Sequence, residues 1–233
     1  MTTHSKKLNI TAKLFCALFA LTIILAACAK SDPTPPIEAA GIGFIHASPG
    51  TGALDFVVDG QKVNSFTYTQ DFGYYTAYPG TRLIGVAKKD STTYLAKDTV
   101  NLKPGTFYSF FVVDTLKSTK ILALEDDLTA PAADKAKIRF VNLSPGSPAL
   151  DLSIANADTA LVKNKAFKAF SSFAPIAPNA SYTFEVKQTG TSSVKATLPA
   201  VKIEAGKIYT IWAKGLASKT DSTAFGLSIM PNK

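Results

Sequence analysis

The sequence predicts an all-β protein, built as two tandem antiparallel β-sandwich domains of immunoglobulin-like size. Short runs rich in Val, Ile, Phe, Tyr and Thr alternate with Pro-Gly, Asp-Gly and Thr-Gly turn signals. The segment 42–55 recurs at 138–151. After residue 40, no segment shows sustained helical periodicity with capping residues. About seven short strands in each half would suit such a sandwich.

The first residues of the chain predict export from the cytoplasm. Lys6, Lys7 and Lys13 precede a largely apolar run at 14–27, which is the pattern of a secretory signal peptide. The run holds 14 residues, whereas a helix that spans a bilayer needs about 20. We therefore predict a signal peptide over residues 1–27 that is removed by cleavage.

The end of the apolar run, Leu25-Ala-Ala-Cys28, resembles the lipobox of bacterial lipoproteins. The resemblance implies a diacylglyceryl thioether on Cys28, whose acyl chains would hold the protein on a membrane. The alternative is an ordinary signal peptide with a cysteine nearby. We expect a lipid-anchored envelope protein, and Ala29 and Lys30 after the cysteine favour the outer membrane. Residues 28–39, rich in proline and small side chains, would form a flexible tether.

The two cysteines leave no thiol for other chemistry. Cys16 lies within the predicted signal peptide and Cys28 would be lipidated. We therefore expect no disulfide and no thiolate for a metal or for catalysis.

The self-similarity of the chain defines its domains. Ile42–Asp55 aligns without gaps with Ile138–Asp151, with eight of the fourteen positions identical. We predict a first repeat at 40–128, a small-residue linker at 129–136 and a second repeat at 137–233. The strongest predicted strands are 106–114 and 207–213, and 223–229 is the predicted last strand. Alternation at 181–186 places Tyr182, Phe184 and Val186 on one face.

Both copies open with Ile-x-Phe-Ile/Val-His/Asn-x-Ser-Pro-Gly, followed by Ala-Leu-Asp. This pattern resembles the domain-of-unknown-function 4397 family. The resemblance implies an envelope lipoprotein or surface protein, often with tandem copies and without an assigned chemistry. The second copy carries Asn142 where the first carries His46.

The charge of the chain is uneven. The net charge is +8, and residues 134–233 contain 13 basic and 6 acidic side chains, whereas residues 40–128 are close to neutral. Such asymmetry can mark a surface for lipid headgroups or acidic glycans. Because the basic residues are spaced lysines with a single arginine, Arg139, we favour a solvated surface and expect no nucleic-acid partner.

The sequence does not predict catalysis. His46 is the one histidine after position 28, and its replacement by Asn142 in the second copy favours a hydrogen bond to a neighbouring turn. A zinc site at His46 would lack a cysteine thiolate and a second histidine, and phosphate-binding glycine loops are absent from the sequence, so no metal or cofactor is expected. The cluster at 125–127 could help to ligate calcium, although we favour a solvated surface.

The Ser-Pro-Gly motif predicts a structural turn in each repeat. Asp55 and Asp151 follow it, and we expect them to cap backbone N–H groups of the preceding loop; a calcium or catalytic role is the alternative. The predicted turn residues are Ser48, Pro49, Gly50 and Asp55 in the first repeat and Ser144, Pro145, Gly146 and Asp151 in the second.

Residues 66–78 contain six aromatic side chains. Strand alternation predicts Phe72 and Tyr74 on one face and Tyr75 on the other. Core packing is the favoured explanation. If this segment binds a ligand, the tyrosines that would do so are Tyr68, Tyr74, Tyr75 and Tyr78.

The sequence thus predicts a non-catalytic cell-envelope lipoprotein that acts as a binding or structural module. A surface adhesin or glycan-binding accessory protein is the first alternative, and a glycoside hydrolase-type enzyme is the second. The expected partners are the membrane, through the lipid anchor, and a glycan or an envelope protein. The sequence leaves the oligomeric state open.

Overall fold

The computed structural model describes residues 38–233. The predicted signal peptide, Cys28 and most of the predicted tether lie outside the described residues.

The first repeat contains eight strands and one short 3₁₀ turn, Leu116–Ser118. The strands form two sheets with the orders β4-β1-β7-β8 and β3-β2-β5-β6. Their bounds are Ala40–His46 (β1), Leu54–Val58 (β2), Gln61–Phe66 (β3), Asp71–Ala77 (β4), Gly80–Lys88 (β5), Tyr94–Leu102 (β6), Phe107–Val113 (β7) and Lys120–Asp126 (β8).

The second repeat has the same topology. Its sheets have the orders β12-β9-β15-β16 and β11-β10-β13-β14, so each strand corresponds to the one eight places earlier. The bounds are Ala136–Asn142 (β9), Leu150–Ile154 (β10), Val162–Lys165 (β11), Ala174–Ile176 (β12), Asn179–Gln188 (β13), Val194–Ile203 (β14), Ile208–Lys214 (β15) and Gly226–Pro231 (β16).

Each repeat packs its two sheets around its own apolar core. Phe44 and Phe110 meet Phe56 in the first core, and Phe140 and Ile211 belong with Phe184 to the second. The burial of these large side chains contributes most of the stability of each sandwich, since each fully buried side chain contributes about 1.5–3 kcal/mol.

A third apolar cluster joins the two repeats. It forms between the sheet that contains β1 and the sheet that contains β9, which we call the inner sheets. The first repeat contributes Ile45, Ala47, Phe111, Val113 and Leu124, and the second contributes Val141, Leu143, Trp212 and Met230. We call this contact the junction.

The junction explains the composition of the central strands. All seven residues of β1 are buried, and β7, β9 and β15 are buried at all but one position each. A strand covered on both faces has a near-continuous apolar sequence rather than an alternating one. The runs at 107–113 and 208–213 have this character because one face meets the sandwich core and the other meets the junction.

The predicted all-β fold with two sandwiches is confirmed. Each repeat has eight strands rather than about seven, and β1–β7 and β9–β15 pair in parallel. The last strand begins at Gly226, three residues later than predicted. Phe184 and Val186 lie in the second core with Tyr182 packed against it, as the alternation predicted.

Candidate functional site

A buried polar cluster lies at one end of the junction. Arg139, which is 2% exposed, is ion-paired with Asp126 across the two repeats. Its other guanidinium N–H groups donate to Ser109 Oγ at 3.1 Å and to Thr210 Oγ1 at 2.8 Å. Ser109 also donates to Asp126, at 2.6 Å. A buried carboxylate needs several such donors to offset its loss of hydration.

Tyr74 links this cluster to the C-terminal segment. Its hydroxyl donates to Asp126 Oδ2 and accepts from Asn232 Nδ2 at 2.9 Å. Burial, followed by the nearby Asp126 charge, raises the pKa of Tyr74, so the phenol stays protonated and can donate. Thr210 Oγ1 in turn donates to Asn232 Oδ1 at 2.6 Å.

A cleft of about 770 Å³ opens beside this cluster. Phe107, 37% exposed, contributes an aromatic ring to it. A Cβ at Gly41 would overlap that ring, so the glycine allows Phe107 to lie against β1. The polar groups around the ring belong to both repeats. They come from Tyr74, Thr106, Glu125, Asp126, Asp127, Thr129, Asn232 and Lys233.

The carboxylates at the rim of the cleft, Glu125 and Asp127, are paired with lysines. Lys103 Nζ lies 2.9 Å from Glu125 and Lys137 Nζ lies 3.5 Å from Asp127. An aromatic ring beside carboxylate, amide and hydroxyl groups offers a stacking surface together with hydrogen-bonding partners. This combination suits a hydroxyl-rich ligand.

The four predicted tyrosines do not form one face. Tyr68 packs edge-on against His46 and lies near Lys214 of the second repeat; burial raises its pKa to about 12. Tyr74 belongs to the junction. Tyr75 and Tyr78 line a separate groove of about 270 Å³ at the edge of the first sandwich.

The predicted alternation of β4 is wrong, because the strand contains a β-bulge. Ile42 opposes Tyr75 and Phe44 opposes Phe72, so β4 has one more residue than β1 over this span. Phe72 therefore packs on the first core and its ring meets that of Tyr75. Tyr74 points to the opposite face, toward the junction. A bulge shifts the side-chain period in this way, and the period of the sequence alone does not reveal it.

His46 and Asn142 hold equivalent loops. His46 Nε2 lies 2.8 Å from the carbonyl oxygen of Gly52, and its Nδ1 is 3.4 Å from the amide of Ser48. Asn142 Oδ1 accepts from the amide of Ser144 at 3.2 Å. The two serines donate to Asp114 O and Gly215 O, both at 2.6 Å. Burial lowers the pKa of His46.

The predicted turns contain Pro49 and Gly50 in one repeat and Pro145 and Gly146 in the other. Both glycines have positive φ, at 82° and 74°, a conformation that favours glycine. The serines of the turns donate to the residues that directly follow β7 and β15, so each turn is tied to the end of a central strand of the inner sheet.

The prediction that Asp55 and Asp151 cap backbone N–H groups of the preceding loop is wrong. Asp55 accepts from the amide of Asp90 at 2.9 Å and from Ser65 Oγ at 2.6 Å. Asp151 accepts from the amide of Asn164 at 2.7 Å. Asp55 thus joins β2 to β3 and to the turn after β5, and Asp151 joins β10 to β11. Burial acts to raise the pKa of Asp55, but its hydrogen bonds outweigh burial and the pKa is lowered.

The prediction that the cluster at 125–127 is a solvated surface is wrong for Asp126, which is 5% exposed and ion-paired. The prediction that Arg139 is a solvated surface residue is wrong for the same reason. Phe107 and Asn232 were not predicted as site residues. The unbroken apolar run of β7 was the available signal, since it indicates that a second layer covers the strand.

Within residues 38–233, no group of three or more His, Cys, Asp or Glu side chains is arranged to hold a metal ion. In the same part of the chain, no helix has the length and apolar character needed to cross a bilayer.

The fold and the junction define a class: tandem β-sandwich proteins with a cleft between the repeats. Residues 40–153 match the family model described as Domain of unknown function (DUF4397), so the predicted resemblance is confirmed over these residues. The match extends from β1 into β10 of the second repeat. No curated protein matches the chain.

Several solved structures are similar to this chain at low identity and low TM-score. A carbohydrate-binding module of family CBM26 from Eubacterium rectale, in complex with maltoheptaose, is 9% identical, with 82% of this chain and 96% of that chain covered and a TM-score of 0.27. A streptococcal virulence factor that binds alpha-glucan is 13% identical, with 80% and 96% covered and a TM-score of 0.24. The fimbrial anchor protein Mfa2 from Porphyromonas gingivalis is 10% identical, with 83% and 97% covered and a TM-score of 0.21.

Proposed function

We propose that this protein is a non-catalytic cell-envelope lipoprotein, anchored through Cys28, that binds a neutral glycan in the junction cleft. The cleft carries the proposal, because it combines the exposed ring of Phe107 with hydroxyl, amide and carboxylate groups of both repeats. Ligand sites occur preferentially at such domain interfaces. The pairing of Glu125 and Asp127 with lysines favours a neutral ligand over a cationic one.

The hydrogen bonding of the cleft argues against hydrolysis. Asp126 is held by Arg139, Tyr74 and Ser109, so it is not available to protonate a leaving group. If the protein were a glycosidase, Glu125 and Asp127 would be the remaining carboxylates of the cleft. Loss of a measured hydrolytic activity in Glu125→Gln or Asp127→Asn would overturn the non-catalytic proposal.

Phe107→Ala tests the glycan site. We expect at least a tenfold loss of affinity for neutral oligosaccharides on a glycan array, since stacking on an aromatic ring contributes strongly to sugar binding. Tyr78→Ala is the matched control, because Tyr78 is 76% exposed and lies outside the cleft. An intact protein that binds no oligosaccharide, or binds one equally well with and without Phe107, would contradict the proposal.

A second candidate is an adhesin that uses the edge groove. Tyr75 and Tyr78 are 37% and 76% exposed there, and Arg82 is ion-paired with Asp59 at 3.2 Å beside them. Exposed tyrosines anchor protein interfaces as well as sugars. Binding that is lost with Tyr75→Ala and Tyr78→Ala but kept with Phe107→Ala would favour this candidate.

Cys28→Ala tests the anchor. We expect the variant to leave the membrane fraction and to lose labelling by radioactive palmitate, because the thioether would no longer form. Cys16→Ala is the control and should leave both unchanged. Membrane retention of Cys28→Ala would contradict the lipoprotein proposal.

A further inference from the structure

The two faces that meet at the junction are built from equivalent positions of the two repeats. Strand register and the sequence repeat identify these positions. Three apolar pairs match in character: Ile45 corresponds to Val141, Phe111 to Trp212, and Leu124 to Met230. Val113, in contrast, corresponds to Lys214. The three matched pairs by themselves do not distinguish like repeats from unlike ones.

The charged positions of the two faces do not match. Arg139 in β9 corresponds to Gly43 in β1, and Asp126 at the end of β8 corresponds to Asn232 after β16. The ion pair at the junction therefore takes its acid from the first repeat and its base from the second. At Gly43, the position equivalent to Arg139, the ring of Tyr74 covers the backbone.

A second cross-repeat ion pair follows the same rule. Lys168 Nζ lies 3.2 Å from Asp114, and both side chains are mostly buried. Asp114 corresponds to Gly215, with φ of 70° and 74°, and Lys168 corresponds to Thr69, with φ of 69° and 71°. Again the first repeat supplies the acid, the second supplies the base, and the equivalent positions are uncharged.

Pairing between like repeats would leave these charges without partners. Two first repeats would bring Asp126 together with a second Asp126 and no arginine. Two second repeats would bring Arg139 to another Arg139 and no carboxylate. A buried charge without its counter-ion is strongly destabilising, far more than the loss of an exposed pair.

We propose that these acid–base pairs make the junction selective for unlike repeats. A first repeat then pairs with a second repeat, of the same chain or of a second copy, whereas two first repeats or two second repeats do not pair. In the wild-type chain the segment 127–135 keeps the two repeats close, and the junction forms within one molecule. The selectivity also accounts for part of the charge difference between the two halves of the sequence.

Complementation between two full-length variants tests the proposal. Arg139→Asp gives both faces of one chain a carboxylate, and Asp126→Arg gives both faces of another chain a guanidinium. Neither variant can pair its own repeats, but the first repeat of each matches the second repeat of the other. We expect a heterodimer of twice the monomer mass, measured by light scattering, after the two are unfolded in urea and refolded together.

An ion pair with an exposed carboxylate provides the matched control. Asp127 and Lys137 flank the buried pair in sequence, and the Asp127 side chain is largely in solvent. A mixture of Asp127→Lys and Lys137→Asp should refold as monomers. If the mixture of the Asp126 and Arg139 variants yields no more heterodimer than this control, the proposal is wrong.

A double variant in which the acid and the base are exchanged tests the proposal even if one of the single variants does not refold. The chain that carries both Asp126→Arg and Arg139→Asp should regain at least tenfold in its folding equilibrium constant relative to the less stable single variant, measured by urea unfolding. No regain would overturn the proposal, since a face that selects by charge must accept the exchanged charges.

Discussion

At the scale of single residues, His46 shows how one loop can be held by two different side chains. Its imidazole is buried beside Gly52 and Ser48, and the amide of Asn142 holds the equivalent loop of the second repeat. The two side chains share a hydrogen-bonding role, but only the imidazole titrates near neutral pH. The first repeat is therefore sensitive to acid at a position where the second is not.

We expect His46→Asn to reduce the loss of stability on acidification. Burial lowers the pKa of His46 in the folded protein, whereas the unfolded residue titrates near 6.5. As the pH falls below that value, His46 takes up a proton in the unfolded state first, so the free energy of unfolding decreases. Above that value, His46 is neutral in both the folded and the unfolded state. Urea unfolding at pH 7.5 and 5.5 would measure the difference. An equal decrease in both proteins would contradict the prediction.

At the scale of elements, the bulge in β4 decides which aromatic side chains reach the junction. The extra residue directs Phe72 and Tyr75 toward the first core and Tyr74 toward the second repeat. Without it, Phe72 and Tyr74 would share a face, as the sequence pattern predicted. One inserted residue thus places the hydroxyl of Tyr74 where it accepts a hydrogen bond from Asn232 of the second repeat.

Tyr74→Phe should lower the free energy of unfolding by about 1–3 kcal/mol, because Asp126 and Asn232 would each lose a buried partner. Tyr78→Phe is the matched control, and its exposed hydroxyl should contribute less than about 0.5 kcal/mol. Chemical denaturation of the two variants measures both changes in the free energy of unfolding. Equal effects would show that the hydroxyl of Tyr74 is not needed at the junction.

At the scale of the whole molecule, the junction makes the two repeats interdependent. Residues 38–233 form one compact unit, and the third apolar cluster takes side chains from both repeats. Trp212, the single tryptophan of the chain, is fully buried in that cluster. Its fluorescence therefore reports on a contact that neither repeat forms alone.

Phe111→Ala, a change in the first repeat, should shift the emission of Trp212 in the second. We expect a loss of stability of about 3–5 kcal/mol and a single unfolding transition in which fluorescence and circular dichroism coincide. Leu116→Ala is the control, since Leu116 is exposed and outside the cluster. Separate transitions for the two probes would show that the repeats unfold independently.

The sequence was informative about layers and repeats, and less so about contacts between them. Turn signals and the copy of residues 42–55 at 138–151 were sufficient for two sandwiches, because they depend on local chemistry. The burial of Asp126 and Arg139 depends on a partner in the other repeat, so their local patterns indicated solvent. Tyr74 was among the predicted binding residues, but Phe107 was not, since its place in the cleft depends on residues of the second repeat that lie far from it in sequence.

The division of the buried ion pair between the two copies also has a consequence for the history of such a chain. Once one copy kept only the acid and the other only the base, loss of either half of the gene would leave a buried charge without its counter-ion. Duplication of one half alone would create the same surplus. Under the proposed selectivity, added copies keep every such charge paired only when both halves are copied together.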